Sequence, residues 1–370
     1  MADTLYLDWN AGAPMRASAR AALVAALGRA GNPSSVHGPG REARRLVEEA
    51  RSSVGALVGA PARSVVFTSG GTEANALALC GLALPVAASA VEHASVLARG
   101  EDAIRLPVDA DGVVSLPGLA AILAGRGPTL VSVMAANNET GVVQPLREIA
   151  GLVHGHGGLF HCDAVQAAGR IPLDMRALGI DLLSLSAHKI GGPQGVGALV
   201  AGDVPGLKAI LRGGGQEGGL RAGTENVAGI VAFGAAAREA AAEAAGFATL
   251  GSLRDALERG CQEAAPGTVA IAARAPRIAN TSCLSIPGAE AATIVMAMDL
   301  AGFAISAGSA CSSGKVRPSH VLAAMGVAPE IRSGAVRVSL GPAISLDEAG
   351  RFAAEWGRIA ARLRDARAAA

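Results

Sequence analysis

Three short stretches carry residue types that could do chemistry together. Ser184-Leu185-Ser186-Ala187-His188-Lys189 sets a lysine beside a histidine at the end of an apolar run. Lysine is scarce here: of the 32 Lys and Arg residues, only Lys189, Lys208 and Lys315 are lysines. A surface lysine is the ordinary case, whereas one held in an apolar pocket has a lowered pKa and can form a Schiff base. Phe160-His161-Cys162-Asp163-Ala164 places one acid at the end of another apolar run. Asp163 either caps the segment after it or, if buried, keeps a heterocyclic nitrogen protonated through a charge-assisted hydrogen bond. Thr68-Ser69-Gly70-Gly71-Thr72-Glu73 stands between an apolar run and a helical pattern. It is either a plain turn capped by Thr72 or a phosphate cup made of helix N-terminal N–H groups and the Thr72 hydroxyl. A lysine for a Schiff base, an acid for a pyridinium nitrogen and a glycine cup for a phosphate are together what pyridoxal phosphate requires.

Residues so far apart in sequence need a scaffold to meet. Val65–Thr68, Leu130–Met134, Leu159–Cys162 and Leu182–Leu185 are short apolar runs with little alternation, separated by helical patterns. Strands buried on both faces have this pattern, and repeated βαβ units predict an α/β fold with a mainly parallel sheet. Such sheets bind ligands beyond the carboxyl ends of their strands. Ser69–Thr72, Asn137-Asn138-Glu139, Asp163 and Ser186–Lys189 each follow one of the runs. Farther on, the glycine-dense Gly213–Gly219 precedes Arg221-Ala222-Gly223-Thr224, and an Ala-rich stretch from about 235 to 265 predicts long helix and a hinge to a second domain. Phe352, Trp356, Ile359 and Leu363 are spaced for one buried helical face. The uncharged stretch Ala74–Val91 is interrupted by Gly81 and Pro85, so it predicts a helix end, a turn and a buried strand, not a membrane span.

Composition narrows the partners. The chain has 370 residues, 51% of them hydrophobic, and a net charge of +1. It is long enough for one large or two ordinary domains and too apolar to be disordered. Near-neutral charge and 2% aromatic content argue against nucleic acid and against an anionic membrane surface. Five scattered cysteines without a C-x-x-C pair exclude a disulfide framework or a structural zinc site. Cys80, Cys162, Cys261 and Cys283 are expected to pack in the core or on helices. His154, His156 and His161 beside Cys162 fit no metal spacing. The N-terminus has no basic segment followed by an apolar run, so a reduced, cytoplasmic protein is expected.

The chain resembles the cysteine desulfurases of the class V aminotransferase group, within the fold-type I pyridoxal-phosphate enzymes. The matching segments run nearly end to end. They include Gly31-Asn32-Pro33-Ser34-Ser35-x-His37, Thr68-Ser69-Gly70-Gly71-Thr72-Glu73, Glu92-His93 and Asn137-Asn138-Glu139-x-Gly141. They continue with Asp163-Ala164-x-Gln166, Ser186-Ala187-His188-Lys189, Gly213-Gly214-Gly215-Gln216-Glu217, Ser306-Ala307-Gly308-Ser309-Ala310-Cys311 and Arg337-x-Ser339. One departure is Asp8-Trp9-Asn10-Ala11-Gly12-Ala13-Pro14, where the family usually has a Thr-rich Asp-x-x-Ala-Thr-Thr-Pro.

The resemblance implies a homodimer with a large, mainly parallel α/β domain over 15–248. A smaller α+β domain would join 1–14 to 249–370 and carry the Cys311 loop. Lys189 would hold the cofactor and later remove the substrate Cα proton, Asp163 would hold the ring nitrogen protonated, and His93 would stack on the ring face and help proton transfer. Gln166 would bond the ring hydroxyl. Gly71, Thr72, Ser186 and His188 would hold the phosphate, with Thr224 arriving from a neighbouring subunit. Asn138 and Arg337 would orient the substrate, Arg337 by clamping its carboxylate. Cys311 would be the nucleophile, leaving L-alanine and a persulfide for a sulfur-acceptor protein, either an iron–sulfur scaffold or a tRNA-thiolation enzyme. Selenocysteine or cysteine sulfinate as substrate, or a non-catalytic docking module, are the alternatives weighed against L-cysteine.

Overall fold

The computed structural model describes residues 4–98, 103–308 and 318–368; Cys311 and Lys315 lie outside them. After the short β1 (Leu5–Tyr6), seven strands build one sheet. They are β2 (Val65–Thr68), β3 (Val86–Ser89), β4 (Ile104–Leu106), β5 (Leu130–Ser132), β6 (Leu159–Asp163), β7 (Leu182–Ser186) and β8 (Gly197–Ala201). Their order is β2-β8-β7-β6-β5-β3-β4. Every residue of β2, β3, β5, β7 and β8 is buried, as the unbroken apolar runs require.

The ladders from β4 to β7 are parallel, but β8 runs antiparallel to both β7 and β2. The sequence placed β2 in a parallel ladder; its only partner among the described strands is instead β8. Chain length explains the reversal. Only residues 187–196 separate β7 from β8, and they hold a single 3₁₀ turn, Ala187–Lys189. That is too short for a parallel crossover, so the chain turns back. The return lays β8 against the Gly70 turn. A Cβ on Gly197 would lie 2.6 Å from the Gly70 carbonyl carbon and 2.6 Å from the Leu185 oxygen, so only glycine fits there.

The Ala-rich stretch is long helix as predicted, broken after Phe247 into Val227–Phe247 and Leu250–Ala264. The break lets it serve two cores. Ile230, Phe233 and Ala236 bury into the large sheet's cluster, while Leu250, Leu257 and Cys261 bury into another. That second cluster covers an antiparallel sheet built from β9 (Val269–Ile271), β10 (Thr281–Ser285), β12 (Ser306–Ala307) and β13 (Ala335–Ser339), with β11 (Phe303–Ala304) beside it. Sheet order is β12-β13-β10-β9, and β1 pairs in parallel with β11. The N-terminal segment thus joins the C-terminal core, where Leu7 packs with Phe352 and Trp356. Phe352, Trp356 and Ile359 are buried and Leu363 is partly so, which is the predicted face. Trp356 keeps its indole N–H satisfied at Thr268 Oγ1, 2.9 Å away.

Cys162, Cys261 and Cys283 are buried, but Cys80 is exposed at the last turn of the helix Gly71–Cys80. Its neighbours Leu77, Ala78 and Leu79 take the inward positions, so the core role expected for Cys80 falls away. Burial pushes the Cys283 thiol up to about 12, which makes it a packing group. No helix among the described residues is long and apolar enough to cross a membrane.

Candidate active site

The strand ends of the large sheet deliver their residues to one place. β6 ends in Asp163 and β7 in Ser186; β5 leads to Asn137-Asn138, and β3 leads to Glu92-His93. Together with the start of the helix Gly71–Cys80, they surround a cavity of about 380 Å³. Its wall also holds Gln166, His188 and Lys189 from the large sheet, Asn10 and Ala11 from the N-terminal segment, and Arg337 from β13. A wider groove of about 720 Å³, walled by Arg44, Arg51, Arg63 and Glu217, has no lysine, cysteine or histidine in its lining. The chemistry sits in the smaller space.

Each side chain is aimed by specific bonds. Asp163 accepts from Asn75 Nδ2 at 2.8 Å on one oxygen and from the Val165 N–H at 3.0 Å on the other, so the carboxylate cannot turn. Asn75 Nδ2 also donates to Ser95 Oγ at 2.9 Å, and Ser95 Oγ lies 2.7 Å from His93 Nδ1. The Ser95 N–H donates to that same nitrogen at 3.1 Å. With Nδ1 receiving both bonds, the network assigns the neutral ring proton to Nε2. Lys189 Nζ donates to the Asn10 and Ala11 carbonyls at 2.6 and 2.8 Å. Arg337 is 2% exposed, donates to Asp8 Oδ1 at 2.7 Å and to the Asn138 carbonyl at 3.1 Å, and its buried Nε has no partner among the described residues.

Asn10 is the hub of the wall. Its amide donates to Thr281 Oγ1 and the Asn138 carbonyl, and its side-chain oxygen accepts from Arg170 and Asn280. Its carbonyl accepts from Gln166 as well as Lys189. Arg170 spends its guanidinium on neutral oxygens of Asn10, Gln166, Trp9 and Lys189. Burial, followed by the charge of Arg337, lowers its pKa to about 9.

Buried acids flank the site. Glu92 accepts from Ser89 Oγ and the Met134 N–H, both at 2.7 Å, and its second oxygen has no partner among the described residues. Burial pushes its carboxyl up to about 8, with the charge of Asp163 adding to the rise. Burial likewise lifts Glu139 to about 7, against the hydrogen bond from Ser319 and the nearby Arg337 and His93. Burial holds His161 and His188 near 4, with Lys189 helping at His188. Between 4.5 and about 8 the native chain keeps a proton on Glu92 that the unfolded chain has lost, so stability falls as pH rises. The histidines act oppositely, but only below their ordinary 6.5. The thermal midpoint of the cofactor-free chain should therefore drop from pH 6.5 to 8, by on the order of 1–2 kcal/mol of stability. Glu92→Gln should flatten that drop. A midpoint equally steep in the variant would show that Glu92 is not its source.

The residues present fit pyridoxal phosphate. The helix Gly71–Cys80 begins after Gly70 with no side-chain cap, which leaves its N-terminal amides to an anion. Thr72 and the bonded pair Ser186–His188 stand beside it on the cavity wall. Across the cavity lie the fixed carboxylate of Asp163 and the amine of Lys189. Asn75 Oδ1 is buried without a hydrogen-bond partner among the described residues, a polar demand that a ligand would meet.

Of the sequence candidates, Gly71, Thr72, His93, Asn138, Asp163, Gln166, Ser186, His188, Lys189 and Arg337 meet at this cavity. Thr224 does not; it is exposed on the segment after Gly219. Cys311 lies outside the described residues. Sequence reasoning missed Asn10, Asn75, Ser95 and Arg170. Asn75 was findable, because it follows Thr72 by three residues on one helical face. Asn10 lies in the departing Asp8–Pro14 segment, and nothing local marks it as a hub.

The chain matches the family model for class-V aminotransferases over residues 5–352. It is 44% identical over 355 residues to a cysteine desulfurase of Cereibacter sphaeroides, covering 91% of each chain. It is 39% identical to cysteine desulfurase IscS of Dictyoglomus turgidum, over 91% of this chain and 89% of the relative. A NifS-like protein from Rickettsia africae superposes with a TM-score of 0.89 at 31% identity, over 96% of this chain and 99% of that one. A structure described as SspA in complex with cysteine superposes with a TM-score of 0.79 at 30% identity, over 92% and 99%.

Proposed function

The chain belongs to the class-V aminotransferase family and has the activity of a pyridoxal-phosphate-dependent cysteine desulfurase, and from that premise we propose what each residue of the cavity does. The observation that carries the proposal is the convergence of Lys189, Asp163 and Arg337 on one cavity of about 380 Å³. Selenocysteine, cysteine sulfinate and a non-catalytic docking role are the less favoured alternatives.

When bound, pyridoxal phosphate supplies an electron sink for the charge left as the substrate loses its Cα proton. Thr72, Ser186, His188 and the amides from Gly71 hold its phosphate. Asp163 keeps a proton on the ring nitrogen, Gln166 bonds the ring hydroxyl, and His93 covers the ring face. Lys189 holds the cofactor covalently and moves the Cα proton. Arg337 takes the substrate carboxylate, with Asn138 beside it. The thiolate of Cys311 attacks the substrate sulfur. An S–S bond forms as the C–S bond breaks, the electron pair stays on carbon, and protonation yields L-alanine. Cys311 is left as a persulfide for a sulfur-acceptor protein. Reductive release by two external thiols gives sulfide and a disulfide.

We also propose that 15–248 and the pair 1–14 with 249–370 are two domains meeting at the cavity. Asn10 and Arg337 come from the second, and Lys189 and Asp163 from the first. Exposed Thr224, near the half-exposed Ile210 and Leu211, suits the neighbouring-subunit role in a homodimer.

The test is alanine formation from L-cysteine by the cofactor-loaded protein, with and without a thiol reductant. The expected result is a burst of one equivalent of alanine followed by slow turnover that added reductant accelerates, since L-cysteine is itself a thiol. Alanine formed with no burst, no response to added reductant and no persulfide on Cys311 by mass spectrometry would refute a persulfide step.

A further inference from the structure

Glu139 is buried at 2% exposure, one residue past Asn138, and the mechanism above leaves it without work. Asn137 fixes its backbone: Asn137 Oδ1 accepts from the Glu139 N–H at 2.9 Å, and Asn137 Nδ2 donates to the Val91 carbonyl at 3.0 Å. The carboxylate therefore points from a rigid strand-end turn. What it meets is two places in the chain, one on each side of Cys311.

On one side, Ser319 Oγ donates to Glu139 Oε2 at 2.6 Å. Ser319 also accepts from the Leu322 N–H and so starts the helix His320–Ala324. The next residue, His320, bonds the Glu92 carbonyl through Nε2 at 2.8 Å. On the other side, Gly308 follows β12. A Cβ there would lie 2.6 Å from the same Oε2 and 3.4 Å from Glu139 Cδ. Gly308 does not sit in the left-handed region, so its backbone admits any residue. The carboxylate is what requires glycine there. A flexible acid could swing away, but this one is buried and held by Ser319.

We propose that Glu139 is a positioning residue that clasps the two stems, Gly308 and Ser319, of the segment carrying Cys311. This inference rests on Cys311 being the nucleophile. The clasp sets where the segment starts and ends relative to the cavity wall, since Glu139 and the site residue Asn138 share one turn. Attack at sulfur depends steeply on placement, so the clasp acts on sulfur transfer and not on the cofactor.

Two half-reactions of the holoenzyme separate these roles. Persulfide formation on Cys311, read by mass spectrometry, needs the clasp. Exchange of the L-alanine Cα hydrogen with deuterated solvent needs Lys189 and the cofactor but no thiol. Glu139→Gln and Ser319→Ala should each slow persulfide formation about tenfold or more, with exchange and cofactor absorbance at wild-type levels. Ser319→Thr, which keeps the hydroxyl, should restore most of the rate. Wild-type persulfide rates in both Glu139→Gln and Ser319→Ala would overturn the clasp, as would an equal loss of exchange. Cys311→Ser reports separately: it should abolish transfer and spare exchange, and persistent sulfur transfer there would overturn the nucleophile itself.

Discussion

Lys189→Ala is expected to lower alanine formation from L-cysteine by about 10⁴-fold or more and to remove the absorbance of covalently held cofactor. The size of the effect follows from two jobs in one amine, anchoring the cofactor and moving the Cα proton. No other described lysine can substitute. Lys208 is exposed, and its backbone N–H is bonded to the Gly81 carbonyl, away from the cavity wall. The amine is also preset: bonds to the Asn10 and Ala11 carbonyls hold it at the wall before any cofactor arrives. A Lys189→Ala protein that kept the covalent absorbance would move the attachment to another lysine.

Asp163→Asn should cost about 10³-fold in turnover with little change in the KM for L-cysteine. The carboxylate is 6% exposed and both oxygens already accept bonds, one from Asn75 and one from the Val165 N–H. An amide would face one of those donors with its own N–H₂ and could not hold a proton on the ring nitrogen. The substitution has a second signature. The charge of Asp163 is part of what raises Glu92, so its loss should let Glu92 ionise at lower pH. The pH-dependent fall in thermal midpoint would then move down the pH scale. More than a tenth of wild-type turnover in the variant would remove Asp163 from the mechanism.

Much of this site was legible because strand ends in parallel sheets are where ligands bind, and the apolar runs marked those ends. Asp163 and Ser186 close β6 and β7 in the structure as in the sequence pattern. Strand direction was not legible. The run Gly197–Ala201 has the same apolar character as its parallel neighbours, and only the short connection after Lys189 makes it reverse. The buried polar wall was not legible either. Asn10, Arg170, Asn280 and Thr281 are ordinary polar residues locally, and only contacts across hundreds of positions show that their hydrogen bonds end inside the protein. Glu139 is an intermediate case, since its segment was recognised but its partners, Gly308 and Ser319, were not.

The wiring of Asn10 also bears on how the protein is made. Its carbonyl takes the Lys189 amine 179 positions away, its amide takes Thr281 at a separation of 271, and its neighbour Asp8 takes Arg337 at 329. Domains form as the chain emerges, N-terminal parts first. The Asp8–Ala11 segment therefore waits, short of its Thr281, Asn280 and Arg337 partners, while the large sheet assembles, because β10 and β13 follow later in the chain. Loop closure over such spans is slow. The wall that holds the Lys189 amine is completed only once β13 has been made, so a growing chain cannot show a reactive amine and a finished site before Arg337 is in place.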